Sequence, residues 1–204
     1  MQLLATPFST NVERVRLALG HKGLDAELVA VDPADRAPVY RASGQPLVPV
    51  LLDDGRVVAD SLAILRHLEV RHPDPPLFPR DPAERARVDV FLDWFDRVWK
   101  VAPNAIEAEE ARPEPDAARL EALAAELRGS LDRFEALLGA GDFLLGPFGA
   151  ADVVAWPFLR YGLGTPPGDD ERFHAILAEN LALGDGYPRL RGWIARVDAL
   201  PRGA

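Results

Sequence analysis

The sequence predicts an α/β domain built on a mixed four-stranded sheet, followed by an all-α domain. Three observations carry that prediction. Short β-branched runs alternate with helical apolar periodicities up to His72. A stiff, proline-dense stretch, His72-Pro73-Asp74-Pro75-Pro76-Leu77-Phe78-Pro79, stands where the alternation stops. Beyond it, the apolar patterns repeat at helical spacing. The domains are therefore placed at 1–76 and 81–204.

Gln2-Leu3-Leu4-Ala5 reads as a short strand closed by Thr6-Pro7. Val12, Val15, Leu17, Ala18 and Leu19 then recur at helical spacing, with Gly23 placed to end that helix. Ser9, Thr10 and Asn11 precede it, and each can accept from a helix's unpaired first N–H groups. Ala26 to Val31 has the β-branched bias of a second strand. Asp35 to Ala42 is a weak helix or an irregular segment. Two apolar runs, Val48 to Leu52 and Arg56 to Ala59, flank Asp53-Asp54-Gly55, a hairpin signal. Asp60 and Ser61 stand just before Leu62-Ala63-Ile64-Leu65, where a helix needs an N-cap acceptor. The order is β-α-β-α-β-β-α.

The helical domain opens on Asp81-Pro82-Ala83-Glu84, which combines an N-cap, proline at the first helical position and an acid at the third. Phe91, Trp94, Phe95, Val98 and Trp99 form an aromatic stripe suited to core packing, part of which can wall a pocket for an apolar co-substrate. Pro103 and Pro113-Glu114-Pro115 read as interruptions. Asp116 starts a helix running through Leu120, Leu123, Leu127, Leu131, Phe134 and Leu138.

Composition narrows the chemistry. A net charge of −9 over 204 residues argues against nucleic acid and anionic membrane surfaces as partners. No apolar run approaches the ~18 residues of a membrane span. No basic region precedes Leu3-Leu4, so no signal peptide is expected and a cytoplasmic location is. The chain has no cysteine, which excludes disulfides, cysteine-based metal sites and a protein thiol nucleophile. Sulfur chemistry here must use a ligand's thiol. His21, His67 and His72 fall at helix C-termini, where a cation suits the helix dipole, and His174 has no partner at metal-ligand spacing. No bound metal is expected.

The stretch from Val48 to Ser61 carries the strongest chemical signal. A helix N-terminus offers N–H groups and partial positive charge to a carboxylate. Asp60 adds the opposite sign, so one pocket can hold both ends of a zwitterion. Pro49 removes a donor where the strand opens. A cis Val48-Pro49 bond would turn the Val48 backbone N–H and C=O outward to meet a ligand's own peptide group.

Val48-Pro49-Val50-Leu51 followed by Asp60-Ser61-Leu62-Ala63-Ile64 resembles the glutathione-binding signature of the cytosolic glutathione transferase superfamily. In that family the acid is usually Glu, the Val-Pro bond is cis, and the first domain is thioredoxin-like. Phe8-Ser9-Thr10-Asn11-Val12-Glu13-Arg14-Val15-Arg16-Leu17 is similar to the segment carrying the catalytic Ser of zeta-like classes or Cys of omega-like classes. The matching residue is Ser9, with Thr10 in place of the usual Pro and Asn11 in place of the usual aromatic. The arrangement at Ser9 and Asn11 also resembles the bacterial nu-class enzymes. Gly146 to Asp152 is similar to the family's C-terminal capping box, with Gly149 where Ser or Thr is usual. Asp152 is therefore read as closing back on the turn, a structural role. Tyr187 to Trp193 is similar to the family's last helix.

The resemblance implies a cytoplasmic, homodimeric detoxification enzyme that takes glutathione as co-substrate and a small, largely apolar electrophile, with no metal. It assigns Ser9 to hydrogen-bond the glutathione sulfur, because no base is evident to make it a nucleophile. Thr10, Asn11, Val48, Pro49, Asp60 and Ser61 become glutathione contacts, with Ser61 on the γ-glutamyl carboxylate and Asp60 facing the ammonium. Gln45 is separated from Val48 by Pro46-Leu47 and carries over only weakly. Two alternatives stand beside this reading: a nu-like, glutathione-dependent disulfide reductase, and a non-catalytic ligand-binding or scaffold protein of the same fold.

Overall fold

The computed structural model describes residues 1–203. Two compact units emerge, Met1–Asp81 together with the residues from Ala199 on, and Pro82–Asp198.

The first unit contains β1 (Gln2–Ala5), α1 (Thr10–His21), β2 (Glu27–Ala30), α2 (Ala37–Ser43), β3 (Val50–Asp53), β4 (Arg56–Ala59) and α3 (Ser61–Arg71). Its four-stranded sheet has the order β2-β1-β3-β4, with β1 parallel to β2 and antiparallel to β3, and β3 antiparallel to β4. The sheet is mixed, as the element order predicts. Leu3, Leu4 and Ala5 of β1 are all buried, as are Val50 and Leu51 of β3, because these two strands lie inside the sheet with apolar side chains on both faces. β2 and β4 are the edges and read as mixed polar and apolar. The Asp-Gly turn between β3 and β4 has positive φ at both Asp54 (49°) and Gly55 (77°), as a type I′ hairpin requires. The ambiguous segment 35–42 resolves as α2, which Gly44 ends in the left-handed conformation (φ 76°) while Val39 packs on Leu4, Val31 and Val50.

Two polar clamps hold this unit together. The buried Lys22 ammonium donates to Glu69 Oε2 at 2.8 Å and to the carbonyls of His72 and Pro75, drawing the proline stretch back against α1 and α3. His67 Nε2 donates to Asp53 Oδ2 at 2.7 Å, which ties the hairpin to α3 and holds the Asp53 carboxyl below its ordinary pKa. The residues from Ala199 on also pack with this unit. Gly203 N–H donates to Arg16 O at 2.9 Å. A Cβ at Gly203 would meet Leu24 O at 2.3 Å, and one at Gly20 would meet Pro201 O at 2.1 Å. Only glycine permits that approach at either position.

The second unit consists of α4 (Pro82–Trp94), a π-helical turn (Phe95–Trp99), α5 (Val101–Glu110), α6 (Ala117–Leu138), α7 (Ala150–Leu159), a 3₁₀ turn (Arg160–Leu163), α8 (Arg172–Asn180) and α9 (Pro188–Asp198). Among the described residues no strand occurs beyond β4, only one isolated bridge between Phe143 and Gly146. No helix of the described residues is long and apolar enough to cross a membrane. The aromatic stripe is mostly core: Phe95 stacks on Trp99 at 4.5 Å between centroids, and Phe134 and Phe158 meet both rings edge-on. Pro103 does not interrupt a helix. The break comes earlier, where Lys100 N–H reaches Phe95 O in an i→i−5 bond, and Pro103 falls in the first turn of α5. A missing N–H is tolerated there.

Candidate functional site

Sheet topology brings the candidate residues to one end of the first unit. β1 and β4 both run antiparallel to β3, so they point the same way and their C-terminal ends share one edge of the sheet. The turn after β1 delivers Ser9, Thr10 and Asn11 at the start of α1. β4 delivers Asp60 and Ser61 at the start of α3. Val48 and Pro49 enter β3 from that same edge, since Val50 pairs with both Leu4 and Ala59. Three segments far apart in sequence thus converge, with two helix N-termini among them.

The local geometry at each segment is specific. Ser9 is the N-cap of α1, and its Oγ accepts the Val12 N–H at 3.4 Å. That bond engages a lone pair and leaves the hydroxyl hydrogen available to an acceptor. Thr10 is buried and Asn11 half-buried. The Val48-Pro49 bond is cis. Asp60 caps α3 through Oδ1, which accepts Ala63 N–H at 3.1 Å, while the residue itself is exposed. Ser61 is 3% exposed, and its Oγ accepts from Nη1 of Arg14 at 3.2 Å. Gln45 folds on its own loop, bonded both ways to the Leu47 backbone.

Backbone strain marks the same edge. Among the described residues three non-glycine residues have positive φ: Phe8, Asp54 and Asp60. Asp54 is explained by the hairpin. Phe8 (57°) immediately precedes Ser9, and Asp60 (φ 80°, ψ 132°) precedes Ser61. Such conformations cost about 1–3 kcal/mol each and concentrate at functional sites.

Arg14 escapes a reading of sequence alone. It lies one helical turn after Thr10 on the apolar face of α1 and is 1% exposed. The one available signal is an arginine among Val12, Val15, Leu17 and Ala18, where a surface position is not expected.

Asp152 behaves as the capping-box resemblance implies. Its Oδ2 accepts the Gly149 N–H at 3.0 Å. Its Oδ1 accepts Leu144 N–H at 2.9 Å and, across the helical unit, the indole N–H of Trp193 at 2.8 Å. Burial pushes the carboxyl up to about 6 despite these donors. His174 is likewise engaged structurally: Nδ1 lies 2.8 Å from Asp169 Oδ1, Tyr161 donates to Asp169 Oδ2 at 2.7 Å, and the Tyr161 and His174 rings stack at 4.6 Å.

Residues 3–76 match the family model for the glutathione S-transferase N-terminal domain, and residues 117–196 match that for the C-terminal domain. FtsZ-localized protein A of Caulobacter vibrioides is 34% identical over 154 residues, 69% of this chain and 67% of that protein. Maleylacetoacetate isomerase of Pseudomonas aeruginosa is 40% identical over 94 residues, 43% of this chain and 44% of that enzyme. The latter match spans under half of the relative's length. Among solved structures, the tau-class glutathione S-transferase of mango superposes with a TM-score of 0.79 at 22% identity, covering 98% of this chain and 89% of that one. With its mixed sheet, its helical second unit and both domain signatures in order, this chain belongs to the cytosolic glutathione transferase superfamily.

Proposed function

We propose that the protein is a glutathione transferase, which binds glutathione at the shared edge of β1, β3 and β4 and activates its thiol for attack on a small, largely apolar electrophile. The observation that supports it best is the convergence there of Ser9, Val48-Pro49 and Asp60-Ser61 within a chain of this family. In this reading the α3 N-terminus and Ser61 hold the γ-glutamyl carboxylate, and Asp60 faces the ammonium. The Val48 backbone pairs with the peptide of glutathione, beside Pro49. Ser9, with Thr10 and Asn11 nearby, holds the sulfur as thiolate. The thiolate then attacks the electrophilic carbon and displaces a leaving group or adds to it.

Asp60→Gly tests the ligand's amino-acid end. Glycine adopts φ 80° without strain, relieving about 1–3 kcal/mol. Against that stand a few tenths of a kcal/mol for the lost cap, roughly, and about 0.5–1 kcal/mol of chain entropy. The ligand-free variant is expected to melt no lower than wild type, while glutathione affinity by calorimetry falls about tenfold or more, as for loss of a charge-assisted contact. Unchanged affinity would remove Asp60 from the site.

The proposal includes a homodimer. Val90, Phe91, Trp94, Leu137 and Leu145 line a groove of about 540 Å³ on the second unit, flanked by Arg87 and Arg133, and Val90 is 70% exposed. Apolar surface of this kind is usually covered by a partner. Sedimentation velocity is expected to give a dimer for wild type and a monomer for Val90→Arg. A monomeric wild type would refute the assembly without touching the thiol site.

The relative named FtsZ-localized protein A keeps a second reading in view, a ligand-binding or scaffold protein of this fold. Wild type that binds no glutathione in the calorimeter would decide for it.

A further inference from the structure

We infer that Arg14 is a positioning residue of the glutathione site, which from inside the fold orients the Ser61 hydroxyl and sets a positive charge behind the seat of the γ-glutamyl carboxylate. The inference rests on the glutathione reading above and adds to it the group that makes the carboxylate seat selective.

The carrying observation is one buried hydrogen bond. Arg14 Nη1 donates to Ser61 Oγ at 3.2 Å, joining residues 47 positions apart in sequence, with both side chains shielded from water. A guanidinium in the interior is costly, and an aliphatic residue would pack beside Val12, Val15 and Leu17 without that cost. Stability alone therefore gives little reason for an arginine here. Its effect on Ser61 gives one. Because Ser61 Oγ accepts from a cation, its hydroxyl hydrogen is turned away from Arg14 and polarised as a donor. Ser61 is the first residue of α3, so that donor lies at the helix N-terminus, where the backbone N–H groups also favour an anion. Arg14 acts through Ser61 rather than by touching the ligand. Since α1 also begins with Ser9, one helix then serves both ends of glutathione, the thiol at its N-terminus and the carboxylate one turn further in.

The test compares two probes, glutathione and 4-aminobutyryl-cysteinylglycine, which lacks only the γ-glutamyl α-carboxylate. Calorimetry on wild type is expected to favour glutathione by about tenfold or more. Arg14→Met keeps the length of the stem and removes the charge. It is expected to abolish most of that preference, while affinity for the decarboxylated probe changes by less than about threefold. Arg14→Lys, which keeps the charge, is expected to retain part of the preference. Should Arg14→Met fail to fold, Arg14→Gln replaces it, keeping an N–H donor for Ser61 without the charge. A neutral variant that preserves the wild-type preference, or that weakens both probes equally, overturns the inference and leaves Arg14 as core. Wild type that binds both probes alike also overturns the inference, whereas wild type that binds neither overturns the glutathione reading itself.

Discussion

Replacing Asp152 by alanine is expected to destabilise the helical unit by about 3–9 kcal/mol, the sum of stranding three donors at ~1–3 kcal/mol each. Those donors are Leu144 N–H, Gly149 N–H and the Trp193 indole, all bonded to one carboxylate that is 1% exposed. Domains of this kind have total stabilities of about 5–15 kcal/mol, so the loss takes a large fraction. Urea unfolding followed by Trp fluorescence measures it. Asp152→Asn keeps Oδ1 for two donors but sets an amide N–H₂ against the Gly149 N–H, and about 1–3 kcal/mol is expected. A loss under about 1 kcal/mol for the alanine variant would mean water replaces the carboxylate.

The same residue carries a pH signature. Its carboxyl titrates near 6 in the folded protein and near 3.8 in the unfolded chain. The folded state therefore binds the proton more tightly. The stability Asp152 contributes is full below pH 3.8, declines as pH rises through 6, and is constant above. The full difference is about 3 kcal/mol at ~1.36 kcal/mol per unit. Asp53 and Glu109, whose carboxyls are held low by their hydrogen bonds, drive the opposite trend. The quantity to follow is thus wild type minus Asp152→Asn, which should narrow as pH rises from 4 to 6.

Ser9→Ala is expected to raise the pKa of the bound glutathione thiol by about one to two units. Ionising most of a thiol of pKa about 8.5 near neutrality takes roughly two units, or ~2.7 kcal/mol. A hydrogen bond to a charged acceptor supplies about 1.5–3 kcal/mol, and the α1 N-terminus about 0.3–1 kcal/mol. Together they suffice without a charged side chain. The geometry is compatible, because the cap bond to Val12 N–H uses an Oγ lone pair and not the hydroxyl hydrogen. Thiolate absorbance of the complex against pH reads the shift directly. Affinity well below the thiol pKa should hardly change, since a neutral thiol gains little from Ser9. An unmoved titration with intact turnover would transfer the role to Thr10 or Asn11 and favour the disulfide-reductase reading.

How much was legible without coordinates varies with the range of the forces involved. Asp54-Gly55 specifies its hairpin because few residues adopt positive φ at two successive positions. Asp60 and Ser9 show as helix caps because capping acts within three residues. The alternation of strands and helices, and hence the mixed sheet, follows from apolar periodicity of the same short range.

Other features depend on partners that sequence does not pair. The Arg14–Ser61 bond spans 47 positions, and the Asp152–Trp193 bond spans 41. The return of Gly203 to Arg16 joins nearly the two ends of the chain. The π-helical turn ahead of Pro103 reflects how Phe95 and Trp99 stack in a shared aromatic core. Local propensity and spacing determined which elements this chain forms and which residues cap them. Burial decided the rest, because a buried cation or carboxylate costs several kcal/mol unless paired, roughly, and only the packed fold chooses its partner.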